Sequence, residues 1–197
     1  MNPLLTKLGV PMEVQAFFNA GDLIFHYGEQ FEHFGEGFHR LPTTTNIWLA
    51  GNKMAREIII TSSAMEAIAF LTIHSHRYPD LKRLSFLALG NLPQPVQCNW
   101  IRAKLAGRKF TLVFSNDLLG RLADIRVGAA LKQKRTSFLL TGGSIRIKCD
   151  NECYELEQER LSMSAFEKIS GLRMGMRTHK PKQFNTFLEQ LKYDSST

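Results

Sequence analysis

Residues 109–131 read KFTLVFSNDLLGRLADIRVGAAL. The stretch opens on a continuous apolar run, Lys109–Phe114, and from Leu118 onward its apolar residues fall at helical spacing. Between the two lies Ser115-Asn116-Asp117-Leu118-Leu119-Gly120: one carboxylate at a strand's carboxyl end, a glycine three residues later, and a serine where a metal site would want a second acid. The same strand-then-helix pattern occurs around it. Glu57–Thr61 (EIIIT) precedes a helical pattern over Ser62–Ser75, and Arg83–Gly90 (RLSFLALG) precedes one over Pro95–Ala106. Leu118–Lys134 forms the third helix, and Thr136–Thr141 (TSFLLT) reads as a fourth strand. Continuous apolar strands alternating with helices predict right-handed βαβ units. The fold class is therefore α/β, with a mainly parallel sheet covered by helices on both faces.

The flanks differ in texture. Pro3–Leu8 and Met12–Asn19 read as helices, Asp22–Pro42 as two short antiparallel strands rich in aromatics and glycine, and Ile47–Ala50 as another short strand. After Gly142-Gly143, Ser144–Cys149 and Glu152–Leu156 read as a hairpin. A short helix follows over Ser162–Ser170 with Ser162 as its N-cap, then a basic loop, Gly171–His179, and an amphipathic helix over Pro181–Tyr193. These readings divide the chain into an N-terminal helical and antiparallel extension (1–46), an α/β core (47–141), and a C-terminal hairpin with helices packed on that core (142–197).

Hydrophobic residues make up 44% of the 197 and charged residues 22%, which suits one globular domain and excludes wholesale disorder. No apolar run is long enough to span a bilayer, and MNPLLTKLGVPMEV lacks the basic start and apolar stretch of a secretory signal, so no membrane partner and a cytoplasmic location are expected. Cys98, Cys149 and Cys153 read as reduced, packed thiols rather than a disulfide framework or zinc site. His74, His76 and His179 read as polar surface residues, no acid or thiol standing at ligand spacing. Neither a phosphate-binding loop nor a nucleophile elbow appears. The net charge of +7 is uneven: residues 1–60 carry 4 Lys/Arg against 6 Asp/Glu, and the remainder 21 against 12. That imbalance favours a polyanionic partner, DNA or RNA, and equally suits a solvated basic surface.

In an open parallel sheet, ligands bind beyond the strands' carboxyl ends. Three segments supply residues there: Thr61-Ser62-Ser63 with Glu66, Gly90-Asn91, and Ser115-Asn116-Asp117. Glu66 lies one turn into its helix, so its carboxylate can point back to that edge, whereas Asp117 by itself reads as an N-cap. Taken together and in order, IIITSSAMEAIAFL, LSFLALGN and LVFSNDLLGRLA resemble the Toprim fold of bacterial primases, topoisomerases and related enzymes. That family has a strand ending in Glu-Gly-x-x-Asp-Ala, then one ending in glycine, then one ending in Asp-x-Asp-x-x-Gly. The closing segment KPKQFNTFLEQL resembles the Lys-Asp-x-Asn-x-x-Leu ending of primase-like Toprim proteins of mobile elements, with Lys182, Asn185 and Leu188 in matching places. The resemblance covers about residues 47–141 plus the last helix.

The departures bear on function. The family's glutamate, taken to do acid/base work, falls on Ser62, and the first of its metal-holding aspartates falls on Ser115. Asp117 and Gly120 are kept, Glu66 replaces a shorter acid, and Gln183 replaces an aspartate. Mg²⁺ needs hard anionic oxygens, and a serine hydroxyl is both a weak ligand and a poor base. Ser62, Glu66, Ser115 and Asp117 thus read as a vestigial catalytic set. No cofactor is expected beyond a Mg²⁺ ion weakly held by Asp117 and Glu66. The resemblance then implies a degenerate Toprim-like domain that binds nucleic acid, or a replication or conjugation protein, without cutting. Lys109, Arg121, Arg126, Arg173, Arg177, Lys180 and Lys182 are the expected phosphate-contacting cations, helped by helix amino termini after Ser63 and Asp117. Two alternatives stand beside it: a residually active metal-dependent primase or nuclease using Glu66 and Asp117, and a protein-interaction module whose face is Phe25, Tyr27, Phe31, Phe34 and Phe38.

Overall fold

The computed structural model describes residues 1–196. In chain order it holds α1 (Pro3–Lys7), α2 (Met12–Phe17), β1 (Ile24–Tyr27), β2 (Gln30–Gly35), β3 (Phe38–Arg40), β4 (Trp48–Gly51), β5 (Glu57–Thr61), α3 (Ala64–His74) and β6 (Leu84–Ala88). Then come α4 (Pro95–Lys104), β7 (Lys109–Val113), α5 (Leu118–Leu131), β8 (Thr136–Thr141), β9 (Ser144–Cys149), β10 (Glu152–Glu157), α6 (Met163–Ser170), β11 (Arg177–Thr178) and α7 (Phe187–Asp194).

The central sheet runs β11-β7-β5-β6-β4, parallel except for β4. β5 sits at its middle, and Ile58, Ile59 and Ile60 are all buried, as a strand covered on both faces requires. Ile59 and Phe86 face a core formed with α3, α7 and the N-terminal segment, while Ile58, Ile60 and Leu87 face one formed with α4, α5 and α6. The chain leaves β5 for α3 on one face and leaves β7 for α5 on the other. Between those neighbouring strands the sheet's winding reverses, which opens a crevice at their carboxyl ends. The N-terminal segment shares the first core: Phe18 packs on Phe86 and Trp48, and Phe25 on Trp48. No helix among the described residues is long and apolar enough to cross a membrane.

Four sequence expectations change. Thr136–Thr141 does not extend the parallel sheet; it pairs antiparallel with β9 in a separate sheet ordered β10-β9-β8. Gly142 and Gly143, both at positive φ, make a two-residue turn that folds the strand straight back. The outer parallel position beside β7 goes instead to β11, inside the stretch expected as a loop. The N-terminal sheet has three strands, β3 being added by the turn at Gly37. Finally, the last helix starts only at Phe187, because Thr186 and Glu189 close a capping box there.

Candidate functional site

The crevice is a cleft of about 540 Å³ at the carboxyl edge of the sheet, and Ser62, Glu66, Asn91, Ser115 and Asp117 all line it. The three sequence segments expected at one edge therefore do meet. Two glycines allow the close approaches. A Cβ on Gly90 would sit 2.6 Å from the Pro42 carbonyl oxygen, and one on Gly120 would sit 2.0 Å from that of Ser115. The glycine three residues after Asp117 thus lets the first turn of α5 lie against the end of β7.

The acids bind the protein's own amides. Asp117 caps α5, its Oδ1 accepting from Gly120 N at 2.8 Å and from Ser115 Oγ at 2.7 Å. Glu66 is buried, and its two oxygens accept from Phe187 N at 3.0 Å and Leu188 N at 3.1 Å, so it caps α7 from outside that helix. Burial pushes its carboxyl up to about 7, against the opposing pull of those amides, Thr186 and His39.

A third carboxylate, absent from the sequence reading, is the most enclosed. Glu32 of β2 is wholly buried and has four partners: Tyr27 Oη (2.9 Å), His39 Nε2 (2.9 Å), Ala64 N (2.7 Å) and Met65 N (3.0 Å). It fills the amino terminus of α3, where Ser63 Oγ takes the Glu66 amide. Tyr27's own burial and, after it, the charge of Glu32 push the Tyr27 hydroxyl far upward. The signal was period-2 alternation: with Phe34 inside, Glu32 on the same strand is inside too. Helix ends expected to attract phosphate are thereby occupied by Glu32 and Asp117.

This donor set does not fit Mg²⁺. Glu66 directs both oxygens at backbone amides in a buried interface, Ser62 and Ser115 contribute neutral hydroxyls, and Asp117 remains the one exposed carboxylate of the expected set. Among the described residues no three His, Cys, Asp or Glu side chains are placed to hold one metal ion.

The expected cations divide. Arg126 lines the cleft, its guanidinium 5.5 Å from the Phe138 ring centre. Arg121 braces the loop, donating to Asn116 O and Oδ1 and to Glu159 O. Lys180 points inward, 2.6 Å from Asp124 Oδ2, and donates to the Phe114 and Ser115 carbonyls, which fastens the end of β7 to α5. Burial drives Lys180 down and Asp124 up to about 6, each opposed by the other's charge. Lys109 opens β7 and so lies at the sheet's opposite edge. Arg173, Arg177 and Lys182 are exposed, with Arg177 on the edge strand β11. Two cleft residues were missed, Lys192, which is a cation, and His39.

Of the aromatic set, Phe25, Tyr27 and Phe34 are core, while Phe31 and Phe38 lie on the outer face of the small sheet, with Arg40 over Phe31 and His33 against Phe38. His74, His76 and His179 come together, but as an aromatic cluster: His74 stacks on Phe70 and His76 and meets His179 and Phe187 edge-on, and His179 meets Phe70 edge-on. Cys98 and Cys149 are buried free thiols and Cys153 is exposed; burial lifts Cys98 to about 11, far from a reactive thiolate.

No family model, no curated protein and no solved structure matches the chain.

Proposed function

We propose that the chain is a degenerate Toprim-like domain that binds nucleic acid at the carboxyl-edge cleft without metal-dependent cleavage. The observation that carries this reading is the convergence of Ser62, Asn91 and Ser115 on one cleft whose acids, Glu66 and Asp117, serve as helix caps. The Ser62 hydroxyl and the Asn91 amide donate hydrogen bonds to phosphate oxygens, and Arg126 and Lys192 supply charge, while the Ser115 hydroxyl is spent on Asp117. With two cations engaged, log K should fall against log salt with a slope of about −1.4 on single strands and about −1.8 on duplex.

The test is fluorescence anisotropy of labelled single- and double-stranded DNA and RNA across a salt series, with Arg126→Ala/Lys192→Ala beside the native chain. Salt-dependent binding weakened in the double variant supports the reading. Absence of binding at low salt, or Mg²⁺-dependent cleavage abolished by Asp117→Ala, overturns it. A second reading, docking of a replication or conjugation protein, draws on Leu119 and Leu92, which stand 72% and 44% exposed where they line the cleft.

A further inference from the structure

The β10-β9-β8 sheet has two unlike edges. β10, ECYELE, carries Glu152, Glu155 and Glu157, the kind of charge that keeps an edge strand from pairing. β8, TSFLLT, carries no charge and no proline, and its Leu139 and Leu140 are 57% and 56% exposed.

The register shows which backbone groups that open edge presents. Thr141 and Ser144 close a two-residue turn, so they exchange hydrogen bonds, and Leu139 with Arg146 and Ser137 with Lys148 follow by alternation. Thr136, Phe138 and Leu140 therefore direct their N–H and C=O groups away from β9. Outside the ladder these three make no backbone hydrogen bond among the described residues.

The geometry points to a second copy of this chain as the occupant, joined by antiparallel pairing of β8 with its own equivalent about a two-fold axis at Phe138. In that register Phe138 meets Phe138 of the other copy, and Thr136 meets Leu140 twice, which closes all of the outward-facing groups of those residues. Ser137 then lies beside Leu139 of the other copy, and Arg135 faces Thr141, so no like charges oppose. The equivalent pairing of β10, centred on its outward-facing Glu155, would set Glu155 against Glu155. One edge is self-complementary and the other is self-repelling, as an isologous contact through β8 alone requires. The inference goes beyond the cleft and stands without it.

The test is sedimentation velocity of the full chain over a concentration series, with circular dichroism to confirm folding of each variant. Leu140→Pro removes an outward N–H without touching the β8–β9 ladder, and Leu139→Lys charges the edge; each should raise the dimer dissociation constant about tenfold or more. With Cys153→Ser as background, Ser137→Cys/Leu139→Cys should give a covalent dimer on oxidation, because across this two-fold residue 137 of one copy stands directly opposite residue 139 of the other. A chain monomeric at every concentration, a dimer indifferent to both edge variants, assembly beyond two copies, or failure of the cysteine pair to cross-link overturns the proposal.

Discussion

Replacing Glu32 with alanine deletes a buried carboxylate and strands four donors at once: the Tyr27 hydroxyl, His39 Nε2, and the Ala64 and Met65 amides. Hydrogen bonds to a charged acceptor contribute about 1.5–3 kcal/mol each, but these four share one acceptor and do not add. Two better bounds apply. Loss of a helix cap costs about 0.5–2 kcal/mol, and each buried donor left unsatisfied costs about 1–3 kcal/mol. Removing the carboxylate also removes its own desolvation cost, which pulls the sum back. The expected destabilisation is about 4 kcal/mol for Glu32→Ala. Glu32→Gln should cost about 2 kcal/mol, because one oxygen is kept while an NH₂ is turned toward donors. Urea unfolding followed by tryptophan fluorescence measures both, since Trp48 is buried against Phe18 and Phe25. Glu36→Ala is the control: that side chain is exposed, with Lys7 at 3.8 Å, and its loss should leave the midpoint in place. If Glu32→Ala costs less than about 1 kcal/mol, the cap on α3 is not the anchor of the N-terminal sheet and the reasoning fails.

Glu66 has a folded-state pKa raised from 4.5 to about 7, so its contribution is fully present below the lower value and is lost as pH rises through the upper one. The unfolding free energy from urea titrations should fall across that window by on the order of 3 kcal/mol, and Glu66→Gln should flatten the slope. Asp117→Ala should cost about 1 kcal/mol of thermal stability as a lost cap, while tightening oligonucleotide binding at low salt by removing a negative charge from the cleft; weaker binding would contradict this. Lys180→Met should cost about 3–5 kcal/mol by leaving Asp124 buried without its partner, and Lys180→Met/Asp124→Leu should restore most of it in a double-mutant cycle.

The central strands were legible because strands buried on both faces read as mostly apolar runs, as EIIIT and LSFLA do, and KFTLV joins them at its buried end, Leu112-Val113. TSFLLT carries the same composition on an edge, where burial alternates instead, so composition alone misplaces it. The two serines and Asp117 reach the cleft because short loops tie them to strand ends. The Glu32 cap on α3 was not legible, since hydrogen-bonding it to that helix depends on how the small sheet packs over residues more than thirty positions away. Lys180 was read by charge, and charge does not reveal that Asp124 on α5 draws it inward.

The three caps together constrain how this cleft can meet an anion. Glu32 holds the amino terminus of α3, Glu66 that of α7 and Asp117 that of α5. A phosphate seeking the amides of α3 must first displace Glu32, which is wholly buried behind the cleft wall. The same phosphate meeting Arg126, Lys192 or the Ser62 hydroxyl displaces only water. Recognition through side chains on the cleft wall is therefore favoured over recognition through helix ends. Substitutions at Arg126 and Lys192 should then govern affinity, while substitutions at the buried caps Glu32 and Glu66 govern stability.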